Sequence, residues 1–218
     1  SKIEFKVDSG KATLVAGQSR FTLSTLPAAD FPSVDSVMGS NTFQMPQGLI
    51  KKLIDATSFA MAQQDVRYYL NGLYLEVLGG RLRVVATDGH RLALATAPER
   101  VEASDCGIII PRKGVLELCR LLEGEESLLL TIGSNHIRAS NKQFNFTSKL
   151  VDGKFPDYER VIPKSTDKTL VGDREQLKQA FGRTAILSNE KYRGVRLKLS
   201  QDVLEITANN PEQEQAEE

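Results

Sequence analysis

Asn71-Gly72-Leu73-Tyr74-Leu75-Glu76-Val77 and, beyond Gly79-Gly80, Leu82-Arg83-Val84-Val85-Ala86-Thr87-Asp88 form the stretch that decides the fold. Alternation runs from Tyr69 to Val77, the paired glycines supply a tight turn, and Arg81 to Thr87 returns as a second strand. The same arrangement comes back later. Arg193-Gly194-Val195-Arg196-Leu197-Lys198-Leu199 lines up with the first half, and Leu204-Glu205-Ile206-Thr207-Ala208-Asn209-Asn210 with the second, both at an offset of 122 without a gap. Phe21-Thr22 through Phe31-Pro32 likewise matches Phe146-Thr147 through Phe155-Pro156, at offsets of 125 and then 124. Two independent matches at nearly one period indicate an internal repeat of about 120 residues.

Working outward, Ile3 to Val7, Ala12 to Ala16 and Arg20 to Leu26 read as an antiparallel meander. Thr42 to Met45 is a short strand, and Pro46 opens a helix from about Gln47 to Ala60, with Leu49, Ile50, Leu53, Ile54 and Ala56 on its apolar face. Asp88-Gly89 turns into a strand over Arg91 to Thr96, and Ile108 to Ile110 is a buried strand. Pro111 starts a second amphipathic helix carrying Val115, Leu116, Leu118, Leu121 and Leu122. Strands follow at Ser127 to Ile132, His136 to Ser140 and Phe144 to Leu150, and Glu175 to Ile186 is helical. Two helices beside about eight short strands in each full unit make the fold class α+β. The expected division is residues 1–40 as the tail of one unit, 41–165 as a complete unit and 166–218 as the front of a third. Both ends read as cut in mid-pattern, so the chain is expected to be a fragment.

Composition narrows the function. The 218 residues carry 28 Lys plus Arg against 28 Asp plus Glu, with 40% hydrophobic residues. That balance excludes a disordered chain and a strongly basic DNA coat. No apolar run approaches the roughly 18 residues of a membrane span, and no signal segment opens the chain, so a cytoplasmic location is expected. Cys106 and Cys119 are expected as reduced thiols rather than a disulfide framework. With only His90 and His136 and no clustered ligands, no metal site or cofactor is expected.

Thr87-Asp88-Gly89-His90-Arg91 places an acid, a base and a cation within five residues, which suits catalysis; the plainer reading is a strand-to-strand turn. No nucleophile elbow, phosphate loop or dinucleotide fingerprint is present. Gln63-Gln64-Asp65-Val66-Arg67-Tyr68-Tyr69 combines stacking rings with a phosphate-pairing cation, or is an ordinary strand entry. Lys51-Lys52, Arg112-Lys113, Arg120, Lys178 and Arg183 lie on or beside helices and are by themselves solvated faces. Phe155-Pro156-Asp157-Tyr158 and Arg160-Val161-Ile162-Pro163 form a proline-stiffened loop, either a linker or one wall of a groove.

Several long stretches resemble one known family. Arg20 to Pro32 (RFTLSTLPAADFP), Gln64 to Gly72 (QDVRYYLNG), Ala86 to Leu92 (ATDGHRL), Pro111 to Gly114 (PRKG), Thr147 to Gly153 (TSKLVDG), Phe155 to Tyr158 (FPDY), Ala185 to Lys191 (AILSNEK) and Thr207 to Gln213 (TANNPEQ) are similar to the bacterial sliding clamp, the β subunit of DNA polymerase III. The resemblance covers essentially the whole chain. It implies a DNA-clamp fold and a homodimeric ring of six similar domains around duplex DNA, with helices lining the hole. Such a processivity factor is not an enzyme. It tethers the DNA polymerase III catalytic subunit, and the clamp loader and other clamp-binding-motif proteins of replication and repair dock on it. Zero net charge suits a ring that slides on few phosphate contacts.

Carried over by position, the resemblance implies a partner-peptide cleft of Leu70, Thr87, Gly89, His90, Arg91, Leu92, Pro156, Arg160, Val161 and Tyr192, the last often phenylalanine in the family. It implies DNA contact by Gln64, Arg67, Tyr68 and Tyr69, with Arg112 and Lys113 in the channel. Against the family, the chain lacks most of the first domain and the larger part of the third. The alternative expectation is therefore an isolated peptide-docking module that does not encircle DNA.

Overall fold

The computed structural model describes residues 2–31, 41–188, 194–209 and 215–217. It divides into two compact units, residues 1–156 and 157–218.

In the first unit, β1 (Ile3–Asp8), β2 (Lys11–Ala16) and β3 (Ser19–Ser24) form an antiparallel meander. Two four-stranded antiparallel sheets follow. One runs β11 (Asn145–Lys149), β10 (His136–Ser140), β9 (Ser127–Ile132), β4 (Asn41–Pro46); the other runs β7 (Leu92–Arg100), β6 (Arg81–Thr87), β5 (Gly72–Leu78), β8 (Cys106–Pro111). The Val151 amide donates to the Ile109 carbonyl at 2.9 Å, beside the outer strand β8.

Helices α1 (Gln47–Asp55) and α2 (Arg112–Leu121) each begin directly after a proline whose φ suits the entry, −57° at Pro46 and −62° at Pro111. Each buries one stripe: Ile50, Leu53 and Ile54 on α1, and Val115 and Leu118 on α2, continued by Leu122. These meet Leu73, Leu75, Val84, Leu128, Leu130 and Ile137 from both sheets in one core. Full burial stabilises each such side chain by about 1.5–3 kcal/mol. Gly72 is required here by close approach, because a Cβ on it would lie 2.6 Å from the Ile110 carbonyl oxygen of β8.

Three details differ from the expected pattern. The first helix stops at Asp55 and a separate 3-10 turn spans Ser58–Ala60. Between them Thr57 is buried and its hydroxyl donates to the Leu53 carbonyl at 2.8 Å, which diverts the chain from the helix axis. Leu116 and Leu121 are exposed rather than part of the apolar stripe. Tyr68–Leu70 is a 3-10 turn rather than strand, so alternation begins in earnest only at Gly72.

In the second unit, α3 (Arg174–Ala185) is capped by Asp173, whose carboxylate accepts the Gln176 amide at 2.9 Å. Strands β12 (Arg196–Ser200), β13 (Val203–Asn209) and β14 (Gln215–Glu217) form a sheet in that order. Ile206 and Ala208 are buried on β13, and Thr184 on α3.

The internal repeat is present in the strand register itself. The β5–β6 partners Tyr74↔Val85, Leu75↔Val84 and Val77↔Leu82 recur 122 residues on as Arg196↔Thr207, Leu197↔Ile206 and Leu199↔Leu204. At an offset of 125, Val7↔Ala12 and Lys11↔Ser24 become Ile132↔Ile137 and His136↔Lys149. A one-residue slip in any pair would turn its side chains to the opposite face, so matched register is a stringent form of repetition.

A candidate partner and DNA interface

The turn between β6 and β7 is closed by its own acid. Asp88 Oδ1 accepts the backbone N–H groups of His90 at 2.9 Å and Arg91 at 3.0 Å, and Oδ2 accepts Arg91 Nε at 3.2 Å. Partial burial alone would raise the Asp88 pKa. The two amides and the Arg91 guanidinium outweigh it and leave the carboxyl below its ordinary value. The carboxylate is thus engaged in making the turn, which favours the turn reading of Asp88-Gly89-His90-Arg91 over a catalytic one. The Thr87 hydroxyl donates to the Arg91 carbonyl at 2.7 Å and accepts the Gly89 amide at 3.1 Å. Gly89 sits at φ +88°, in the left-handed region where a glycine is least costly.

What this turn presents is polar and aromatic. His90 and Arg91 are exposed, and Thr87 and Leu92 are half-buried. Arg91 Nη2 donates to the Phe59 carbonyl at 2.8 Å, and its guanidinium lies 5.5 Å from the centre of the Phe59 ring. Phe59 is itself 58% exposed, a large apolar face beside a cation. Sequence reasoning missed Phe59, which lies in the 3-10 turn that replaced the end of the expected helix.

Leu70 behaves differently from its expected companions. At 2% exposed it supports the surface from beneath and does not form an accessible wall. Its carbonyl accepts the Ala62 amide at 3.0 Å, pinning the segment 62–71 as a closed loop. Within that loop Asp65 is the organiser. Its amide donates to Asn71 Oδ1 at 2.9 Å and its carbonyl accepts Asn71 Nδ2 at 2.8 Å. Its carboxylate accepts the Arg67 amide at 2.8 Å, Arg67 Nε at 3.0 Å and Arg67 Nη2 at 2.8 Å. The Arg67 side chain, chiefly, and then its amide hold the Asp65 carboxyl down at about 2, and the pairing raises the Arg67 pKa in turn. The same guanidinium reaches the Asp88 carbonyl at 3.4 Å, so the loop and the turn meet at Arg67. The signal for Asp65 and Asn71 was available: an acid two residues before an arginine, and an amide side chain closing a turn.

The expected nucleic-acid residues fall in two places. Gln64, at φ +57°, shares a cleft of about 490 Å³ with Arg112, Lys113 and Arg120 of α2 and with Leu116. Tyr68 and Tyr69 pack edge to face with ring centres 5.9 Å apart, and Tyr68 is 57% exposed. Arg120 adds a fourth group to the cleft that the expected set omitted, and the exposed Leu116 is accounted for by lining it.

The remaining expected residues are described within their own units. Pro156 is exposed at the end of the first unit. In the second, Arg160 Nε pairs with Asp157 Oδ2 at 2.7 Å and Val161 is 68% exposed. Tyr192 lies outside the described residues. Cys106 and Cys119 are free thiols, both raised in pKa by burial, chiefly. Among the described residues no group of acidic, His and Cys side chains is arranged to hold a metal ion. No helix among them is long and apolar enough to cross a membrane.

Comparison with known proteins gives a consistent set of likenesses. The family model for the DNA polymerase III beta subunit, central domain, matches residues 44–157, and that for the DNA polymerase III beta subunit, C-terminal domain, matches residues 159–218. The beta sliding clamp of Pseudomonas aeruginosa is 61% identical over 218 residues, covering 99% of this chain and 59% of that protein. The beta sliding clamp of Escherichia coli K12 is 55% identical over 219 residues, covering 100% of this chain and 60% of that protein. The crystal structure of the DNA polymerase III subunit beta from Pseudomonas aeruginosa superposes with a TM-score of 0.92 at 60% identity, over 99% of this chain and 60% of that one. A second Pseudomonas aeruginosa sliding clamp structure, bound to griselimycin, gives a TM-score of 0.88 at 60% identity over 99% and 59% of the two chains. The chain therefore spans about three-fifths of the length of the relatives it matches.

Proposed function

The chain belongs to the DNA polymerase III beta subunit family, and on that premise we propose that it is the central part of a sliding clamp, a processivity factor that encircles duplex DNA and holds its partners by a peptide cleft. The role is topological tethering and not catalysis, in a cytoplasmic protein that closes as a homodimer when whole. Residues 1–40, 41–165 and 166–218 are read as the end of the first clamp domain, the second domain and the beginning of the third.

One observation carries the reading. The loop 62–71 and the turn 87–91 meet as a single hydrogen-bonded surface that displays His90, Arg91 and Phe59. Such a surface offers an aromatic face and a cation to the apolar end of a short peptide. Thr87, Gly89, His90, Arg91 and Leu92, with Leu70 beneath, are assigned to peptide binding on this surface; Pro156, Arg160, Val161 and Tyr192 are assigned to peptide binding by the family resemblance. Gln64, Tyr68, Tyr69, Arg112 and Lys113 are assigned to DNA, with Arg67 joining them only where its guanidinium is released from the Asp65 carboxylate. The DNA polymerase III catalytic subunit, the clamp loader and other clamp-binding-motif proteins are the proposed partners.

The test is fluorescence anisotropy with a labelled peptide carrying a Gln and a Leu-Phe end, with griselimycin as competitor. Binding that griselimycin displaces and that His90→Ala weakens is expected. Failure of the folded chain to bind would overturn an autonomous cleft and move the question to the intact ring. The second reading is a docking module that does not encircle DNA, for which the hydrogen-bonded surface of the loop 62–71 and the turn 87–91, built within one unit, suffices. It predicts peptide binding by a monomer in light scattering, with no retention on closed circular DNA.

A further inference from the structure

We propose that Asp65 decides how Arg67 is used: its carboxylate lays the guanidinium along the Asp88–Gly89 turn in support of the peptide surface, and so withholds that cation from DNA phosphate. This rests on the functional reading above, and deepens it by naming a positioning residue that belongs to neither set of contacts.

The geometry is a fork held at both ends. Arg67 Nε and Nη2 both engage the Asp65 carboxylate, at 3.0 and 2.8 Å, the paired arrangement that a phosphate would otherwise demand of the same two donors. Asp65 is itself fixed, because the reciprocal bonds with Asn71 at 2.9 and 2.8 Å set its backbone. Beyond the fork, Nη2 reaches the Asp88 carbonyl at 3.4 Å, and a Cβ built on Gly89 would lie 3.1 Å from both Nη1 and Nη2. The guanidinium therefore lies against the bare glycine backbone of the turn whose neighbours are His90 and Arg91. It is not sealed there. The Arg67 side chain is 47% exposed while that of Asp65 is 21% exposed, so an incoming anion meets the arginine first and must compete with the carboxylate for it. One fork cannot serve both acceptors.

Asp65→Asn separates the two uses. The amide keeps the size and one acceptor oxygen but loses the charge and the second acceptor. Released from the pair, Arg67 no longer buttresses the turn and becomes available to phosphate. Peptide affinity is expected to fall about threefold, the order of an exposed ion pair. Affinity for a fluorescein-labelled duplex oligonucleotide is expected to rise by a similar factor at low salt. The slope of log K against log salt should steepen by about 0.9, one additional phosphate contact. Opposite signs are the signature, since a merely structural defect lowers both affinities. Asp65→Glu restores the charge and should bring both back toward wild type. In a cycle with Arg67→Gln, adding Asp65→Asn should change neither affinity further. The Arg67 Nε–H resonance supplies a direct readout: slowly exchanging in the wild type and lost to fast exchange in Asp65→Asn.

Changes of the same sign, or an unaltered effect of Asp65→Asn in the Arg67→Gln background, overturn the proposal while leaving the functional reading intact. A folded wild-type chain that binds neither peptide nor duplex overturns the proposal together with the autonomous cleft, and the clamp reading is then decided on the intact ring.

Discussion

Replacing Leu70 with alanine removes three carbons from a side chain that is 2% exposed, although the residue stands among the proposed peptide contacts. At about 0.8 kcal/mol per buried methylene the transfer cost is about 2.4 kcal/mol, and the cavity left behind brings it to about 3 kcal/mol. Ala60, Met61 and Ala62 are also buried in the adjoining segment, at 0%, 2% and 5% exposure, and the Ala62 amide bonds the Leu70 carbonyl. Loss of the leucine should therefore loosen the loop 62–71 before it unfolds the sheets. For a unit of this size each kcal/mol lowers the melting point by about 2–4 °C, so a drop of about 6–12 °C is expected. His90→Ala, at an exposed position, should stay within about 1 °C. Circular dichroism melting gives the global figure, and hydrogen exchange at the Ala62 amide reports the loop alone. A change under about 2 °C with Ala62 still protected would refute the reasoning, because it would mean that Leu70 packs against nothing of consequence. The pairing also guards the binding experiment: affinity lost in Leu70→Ala reflects a disordered loop, whereas affinity lost in His90→Ala reflects a lost contact.

Gln47→Leu should destabilise by about 2 kcal/mol in denaturant titrations, since it breaks the bonds from the buried Gln47 amide group to the Glu123 carbonyl and from Asn141, each worth about 1 kcal/mol. A change below about 0.5 kcal/mol would show that water replaces both. The Asp65 carboxyl is lowered from 3.8 to about 2 by Arg67, so the pair's contribution is present above 3.8 and is lost as pH falls through about 2. The difference in melting point between wild type and Asp65→Asn should accordingly stay constant from about pH 8 to about pH 5 and shrink below about pH 4; a difference that already fades near neutrality would contradict this. Gly89→Ala imposes φ +88° on a residue with a Cβ and presses that carbon against Arg67, costing about 1–2 kcal/mol for the backbone alone. Adding Arg67→Ala should recover only the steric part, and a fully additive double variant would mean that the two residues do not touch.

Much of the architecture was legible because it rests on period and punctuation. Alternation about Gly79-Gly80 located β5 and β6, and the offsets of 122 and 125 turned out to be offsets of register, since side-chain alternation and turn length fix pairing together. Prolines 46 and 111 marked the starts of α1 and α2, a consequence of their fixed φ. What periodicity could not show was the end of α1, where one threonine hydroxyl competes for a backbone carbonyl. Nor could it separate Leu118, which faces the core, from Leu116, which lines an open cleft, because both are leucines two residues apart on a short helix. The candidate site was legible as two motifs and illegible as one surface. Arg67 reaches the Asp88 carbonyl across 21 residues and Arg91 the Phe59 carbonyl across 32, and no local pattern encodes such contacts.

The pairing of β4 with β9 has a temporal consequence. Every other pairing in the two four-stranded sheets joins strands closer in the chain, but β4 joins a partner that emerges on the order of 80 to 90 residues after it. At roughly 5–20 residues per second of synthesis, β4 and the apolar stripe of α1 wait roughly 4 to 18 s for the strand that covers them. The hairpin of β6 and β7 closes well inside that interval, so the turn at residues 88–91 takes shape on the ribosome before the layer beneath it is complete. A nascent chain stalled short of Ile132 would carry a formed turn on an unfinished core and would be a client for chaperones.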